Sequence, residues 1–100
     1  MEIEFLAPAR AEFREAIGYY NGHRAGLGFE FAGEVKKVIE RIVQFPEAWA
    51  FLSRRVRRCW VSRFPYAVLY QAMEGTLLIV AVMHLHREPD LWKAWLKSGE

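Results

Sequence analysis

A chain of 100 residues, 53% hydrophobic and 26% charged, has the composition of an ordinary globular protein and the length of one domain, residues 1–100. Its single cysteine, Cys59, excludes an internal disulfide, so we expect a cytoplasmic protein in a reducing compartment. No apolar run approaches the roughly 18 residues of a membrane span, and the acidic N-terminus lacks the apolar core of a signal peptide. The sequence therefore argues against membrane association.

The net charge of +2 is unevenly distributed. Six basic against eight acidic residues give residues 1–50 a charge of −2, and eight against four give residues 51–100 a charge of +4. The densest basic cluster is SRRVRRCWVSRF, residues 53–64, which contains no acid. Two interpretations stay open. The cluster binds an anionic partner, either nucleic acid or an acidic protein surface, or it protects a sheet edge from aggregation.

The chain begins with a predicted strand and a predicted helix. Residues 3–6 form a short apolar run, and Pro8 fits the first turn of a following helix. Over residues 9–20 the apolar side chains recur at i, i+3, i+4 and i+7, which predicts one helix. Asn21-Gly22 is expected to end it.

A second amphipathic pattern covers residues 27–45 and predicts another helix. Pro46 ends this pattern because the residue before a proline is pushed out of the helical region. Two adjacent helices joined by a glycine-containing turn predict a helical hairpin.

The second half of the chain predicts an antiparallel sheet with short connections between its strands. The predicted strands are residues 56–61, 66–72 and 76–85. Strict alternation in the third strand places Leu77, Ile79, Ala81 and Met83 on one face and Leu78, Val80 and Val82 on the other.

Both faces of this third strand are apolar, so it has to be covered twice. The helical hairpin can cover one face. The second face is covered either by the tail PDLWKAWLKSGE, which predicts a helical turn or two with Trp92 packed onto the core, or by a partner chain.

Few residues suggest chemistry. The chain has no glycine-rich phosphate loop, and its one aspartate, Asp90, excludes a metal cluster built from aspartates. Cys59 lies within a predicted strand and is interpreted as a small core residue rather than a nucleophile. His84 and His86 form a weak metal signal, since two ligands do not make a site. We therefore expect no metal and no cofactor.

The segment HLHREPDLW, where the third strand ends, places His84 close to Arg87. A histidine transfers protons near neutral pH, and an arginine holds a phosphate or carboxylate with two hydrogen bonds. We expect Pro89 to end the strand and both side chains to lie at the rim of the sheet. The alternative is structural: a backbone hydrogen bond for His84 and a surface ion pair for Arg87.

Taken in order, these segments resemble the RelE/ParE superfamily of toxins from type II toxin–antitoxin systems, especially its ParE-like, plasmid-stabilisation branch. EFREAIGYYN with GFEFAGEVKKVIERIVQFPEAW resembles the helical hairpin of that family. VRRCWVSRFPYAVLYQ resembles its arginine-bearing strand and aromatic-Pro-Tyr turn, and VAVMHLHREPDLW resembles its closing strand and basic tail. The resemblance covers nearly the whole chain. It implies an α+β fold with an N-terminal strand, an α-helical hairpin packed on a small antiparallel sheet, and a short C-terminal helical tail.

The resemblance also implies a function. The chain would inhibit growth by binding an essential target, with DNA gyrase as the candidate, and a cognate antitoxin would neutralise it within an oligomeric complex. The resemblance places Arg57 and Arg63 on the strand arginines of the family, Tyr66 on its aromatic turn and Arg87 on its closing segment. With Arg58 from the basic cluster, these are the residues that we expect to bind the target or partner.

Two alternatives stay open, so whether the protein is an enzyme is undecided. One is a ribosome-dependent mRNA endonuclease, in which His84, Arg87 and Arg57 would be catalytic. This chain departs from that pattern because it has no tyrosine after Tyr70 and no lysine between Lys37 and Lys93. The other is a non-toxic relative that retains only partner binding.

Overall fold

A computed structural model describes residues 1–87 and 90–96. The elements in chain order are β1 (Glu2–Phe5), α1 (Ala7–His23), α2 (Leu27–Gln44), β2 (Arg57–Trp60), β3 (Tyr66–Met73), β4 (Thr76–His84) and a C-terminal 3₁₀ helix (Leu91–Trp95). The strands form one sheet in the order β1-β4-β3-β2. β2, β3 and β4 are antiparallel neighbours, whereas β1 joins β4 in parallel. The predicted α+β fold is confirmed, with one parallel pair added to the antiparallel sheet.

The helical hairpin forms as predicted, but α1 is longer than the sequence suggests. It continues through Asn21-Gly22, so the predicted stop there is wrong. Asn21 does not break the helix because its side-chain oxygen accepts the backbone N–H of Gly28 at 2.7 Å, across the hairpin. Gly26 makes the turn with a φ of 87°, a left-handed conformation that glycine adopts without strain. A Cβ on Gly28 would overlap the Ile17 carbonyl oxygen, so the helices cross closely here.

One face of α2 packs on the sheet. Phe31, Val35, Val38 and Ile42 follow helical spacing and are fully buried in the core between the helices and the sheet. Neither helix of the described chain combines the length and apolar character that a bilayer crossing requires.

β4 changes the direction of its side chains partway along. A register shift against β3 leaves Val80 as an extra residue of β4. Beyond this bulge, Val82 lies on the helix side, whereas Ala81 and Met83 lie in the core on the other face. The strict alternation predicted for this strand is therefore wrong from the bulge onward, because one extra residue reverses the faces of those that follow.

The C-terminal 3₁₀ helix covers the second face of the sheet. Trp92 is only 1% exposed and packs in the same cluster as Val80 and Met83, as predicted. The chain thus supplies both covers of β4 itself, and of the two alternatives the tail is the one observed. β4 ends at His84, and Pro89, which was expected to end it, lies outside the described residues.

Replacing Trp92 with alanine should expose the second face of the sheet. Large-to-small changes of a buried tryptophan cost about 3–5 kcal/mol, and urea denaturation followed by circular dichroism would measure the loss. Trp60, which is 54% exposed, offers the matched control. Trp60→Ala should change the free energy of unfolding by less than about 1 kcal/mol. Equal effects of the two substitutions would contradict the assignment of the tail as a structural cover.

Candidate functional site

A groove of about 860 Å³ lies beside the second half of β4. We call it the β4 groove. Ala16 and Tyr20 of α1 line one side, and Leu91 and Trp95 of the C-terminal 3₁₀ helix line the other. The groove exists because β1 pairs with only the first part of β4, Thr76–Ile79, and leaves the rest of that edge without a strand among the described residues.

Three residues singled out from the sequence meet in the β4 groove: Tyr66, His84 and Arg87. Tyr66 and His84 are directly opposite on β3 and β4, and their rings pack edge to face with centroids 5.0 Å apart. The backbone N–H of Arg87 donates to the carbonyl of His84 at 3.3 Å, which places the arginine beside the end of the strand. The prediction that His84 and Arg87 lie at the rim of the sheet agrees with this arrangement.

His84 combines a structural and a chemical feature. Its Nδ1 accepts the backbone N–H of His86 at 3.1 Å, so the proton of the neutral ring lies on Nε2. Burial lowers the pKa of His84, and the positive charge of Arg87 lowers it further. His84 therefore stays neutral at a lower pH than an exposed histidine.

Glu12 is a groove residue that sequence reasoning missed. Its Oε1 accepts the backbone N–H of Val82 at 2.9 Å, on the edge of β4 that β1 does not reach. Desolvation by burial raises the pKa of Glu12 to about 7, with a smaller contribution from the charge of Glu15. Helical spacing could have revealed it, because Ala9 and Ala16, three and four residues away, are the buried positions of α1.

Arg57 has a structural role at the opposite end of the sheet. Its Nη1 donates to the carbonyl oxygens of Glu47 at 3.1 Å and Trp49 at 2.8 Å. The guanidinium also lies 3.8 Å from the centre of the Phe51 ring. These contacts fix the connector between α2 and β2.

The three residues assigned to nuclease catalysis do not come together. Arg57 is opposite Tyr70 on β3, whereas His84 is opposite Tyr66. Four residues of an extended strand separate these positions, which corresponds to about 13 Å. His84 and Arg87 therefore share the β4 groove without Arg57.

The other two assigned arginines also differ in their surroundings. Arg63, with a φ of 72°, pairs with Glu30 at 2.7 Å and Glu34 at 3.5 Å and so ties the β2–β3 turn to α2. The Arg58 guanidinium stacks over the ring of Trp60 at 4.4 Å, and Trp60 is largely exposed. Of the two, Arg58 is the one without an acidic partner among the described residues.

A second, smaller hollow of about 470 Å³ lies at the end of the sheet away from the β4 groove. Its basic residues are Arg54, Arg55 and Arg57, and Glu47 is its one acid. We call it the basic hollow. The arginines of residues 53–64 thus divide between this hollow, the Arg58–Trp60 pair and the Arg63 ion pairs.

The described residues offer no metal centre or reactive thiol. Among residues 1–87 and 90–96, no three His, Cys, Asp or Glu side chains are grouped so that they could hold a metal ion. Cys59 is buried in the core, as its position in a strand predicted, and burial raises the pKa of its thiol. A thiol in that setting is a poor nucleophile.

The fold matches that of a solved structure described as "Chromosomal ParDE TA system from P. aeruginosa", with a TM-score of 0.74 and 12% sequence identity. The match covers 86% of this chain and 97% of that one. No protein-family model and no curated protein sequence matches the chain. The shared fold agrees with the α+β architecture that the resemblance implied.

The raised pKa of Glu12 predicts a specific pH dependence of stability. The folded protein holds this proton up to about pH 7, whereas the unfolded chain releases it near 4.5. The folded state therefore loses stability as the pH rises between these values. Because Glu12 is only partly buried, we expect the free energy of unfolding to change by about 1 kcal/mol, which is less than the full shift of the Glu12 pKa would give.

Unfolding free energies of the wild type and Glu12→Gln between pH 4.5 and 8 test this expectation. The difference between the two curves isolates Glu12 from His84, whose lowered pKa acts in the opposite direction by reducing stability at low pH. Parallel curves for the two proteins would show that Glu12 does not titrate in this range.

The two neighbouring arginines of β2 should behave differently when truncated. Arg57→Ala removes two hydrogen bonds to connector carbonyls and a ring contact, which should cost about 1–3 kcal/mol. Arg58→Ala removes one contact with an exposed ring and should cost less than about 1 kcal/mol. Thermal unfolding of both variants measures the difference, and a larger loss for Arg58→Ala would reverse the assignment.

Proposed function

We propose that this chain is the toxin component of a type II toxin–antitoxin system, that it inhibits growth by binding an essential target, and that a cognate antitoxin neutralises it. The observation that carries the proposal is the fold shared with a chain of a ParDE toxin–antitoxin system, of which 97% is matched. On this proposal residues 1–100 act as one cytoplasmic domain.

Two separate surfaces suit the two partners of a toxin. The β4 groove has apolar side chains on both walls and contains a strand edge that no other strand pairs with among the described residues, which suits a polypeptide that wraps the toxin. The basic hollow and the exposed Arg58–Trp60 pair lie elsewhere on the sheet and suit an acidic target surface. A toxin that binds its target through one surface and its antitoxin through the other can be regulated within one complex.

We favour DNA gyrase as the target and inhibition by binding rather than catalysis. The separation of Arg57 from His84 and Arg87 supports this choice, since a nuclease that needs all three would have to assemble them. A ribosome-dependent mRNA endonuclease is the second candidate. What favours it is that Glu12, Tyr66 and His84 lie in one groove with Arg87, which places proton-transfer groups beside a cation.

Induced expression with and without the product of the neighbouring reading frame tests the proposal. We expect expression of the chain alone to stop growth and change DNA supercoiling, and co-expression to restore growth and give a stable complex. Arg58→Ala should weaken the growth arrest. In a purified binding assay the affinity of the wild type for its target should fall as the salt concentration rises, and the difference between the wild type and Arg58→Ala should shrink, because surface charge pairs are screened.

His84→Ala separates the two candidates. A toxin that acts by binding keeps most of its effect in this variant, provided that circular dichroism shows a folded chain. In an endonuclease, loss of a proton-transfer group lowers the rate by about 100- to 10,000-fold, and transcript cleavage would disappear with the growth arrest. A wild-type chain that leaves growth unchanged while binding the neighbouring product would instead be a non-toxic relative.

A further inference from the structure

β4 is an interior strand of the sheet, but its second half has a neighbouring strand on one side only and therefore forms a local edge. On one side, residues 81–84 pair with β3, and the extra residue Val80 precedes them. On the other side, β1 stops at Phe5, opposite Ile79, and the chain turns away after Leu6 donates its N–H to the Ile79 carbonyl. Among the described residues no strand continues along this side. Unpaired edges of this kind are ready templates for another strand.

Glu12 occupies part of that edge. Its carboxylate accepts the N–H of Val82, the group to which a neighbouring strand would offer a carbonyl. In a strand the N–H and C=O of one residue point to the same side, so the Val82 carbonyl faces the same edge. Glu12 thus accepts one of the hydrogen bonds that a neighbouring strand would make with this edge. It leaves the other hydrogen-bonding positions of the edge open.

The space around this edge fits an extended chain. The β4 groove wraps around the edge and includes Val82 and His84 from the helix side of the sheet and Met83 from the other side. Residues 80–84 span about 13 Å of extended strand. The apolar side chains that α1 and the C-terminal 3₁₀ helix contribute to the two walls can pack against side chains that alternate on either side of an added strand.

The charges of the groove indicate the chemistry of the occupant. Arg87 lies at the end of the groove near His84, is exposed, and forms no ion pair among the described residues. Glu12 and Glu15 lie on the α1 side. An occupant with an acidic side chain near Arg87 therefore complements the groove at that end.

We propose that an extended segment of a partner polypeptide adds as a strand to β4 at residues 80–84, that its backbone takes the Val82 N–H from Glu12, and that one of its acidic side chains pairs with Arg87. This inference rests on the proposed function, because it assigns the segment to the antitoxin. In the free protein, the hydrogen bond from the Val82 N–H to Glu12 satisfies this edge and disfavours non-specific pairing with other strands. The partner segment replaces Glu12 when it binds.

Site-resolved amide hydrogen exchange on the chain alone and in complex with the neighbouring gene product tests strand addition. The amides of Val82 and His84 should exchange at least roughly tenfold more slowly in the complex, because paired edge amides open less often. The amide of Trp60, at the outer edge of the sheet, is the internal control and should not change. A complex that forms without protection of Val82 and His84, as a helix lying in the groove would give, overturns the inference while the proposed function stands.

Arg87→Glu tests the charge pairing. We expect the dissociation constant of the complex to rise at least roughly tenfold, and replacement of the pairing acid of the partner with lysine to restore binding. Arg14→Glu, an exposed position of α1 outside the groove, makes the same change of charge and should leave affinity within about twofold, since rim charges act weakly at a distance. Equal losses of affinity for both variants would contradict a specific ion pair at Arg87. The absence of any complex would overturn the proposed function and this inference with it.

Discussion

The structure depends on burying both faces of one strand. Every residue of β4 from Val80 to Met83 is buried, and so are Leu77 and Ile79. Each large aliphatic side chain removed from water contributes about 1.5–3 kcal/mol, so leaving either face open would forfeit a large part of a small domain's stability. The helical hairpin covers one face and Trp92 covers the other. The two covers come from opposite ends of the sequence, so both faces of β4 are buried only when the C-terminal tail has packed.

Much of this architecture could be predicted because it follows from local patterns. Helical spacing located α2 within one residue at its C-terminal end, and the apolar run of β4 correctly required two covers. The bulge could not be predicted, because Val80 is apolar like its neighbours and nothing in the sequence marks it as the extra residue. The end of α1 was missed for a different reason. Asn21 is a common helix breaker, but here a long-range partner, the N–H of Gly28, satisfies its side chain.

The candidate site was harder to predict than the fold. A sequence reveals that an arginine is charged, but not which group it will meet. Arg63 finds Glu30, which lies 33 residues earlier in the chain, and Arg57 finds backbone carbonyls of the preceding connector. Both pairings depend on the folded arrangement of α2 against the sheet. His84 and Arg87 were easier because they follow directly from the end of an obvious strand.

The β4 groove and the position of Glu12 at its strand edge both follow from the first turn of α1. Pro8 at the start of the helix lacks an N–H and so cannot continue the pairing of β1 with β4. The chain leaves the sheet there, and the rest of the β4 edge is left without a strand. The helix that begins at this point then carries Glu12, one turn later, back to the Val82 N–H. A single change of direction near the N-terminus therefore both creates the open edge and supplies the carboxylate that occupies it.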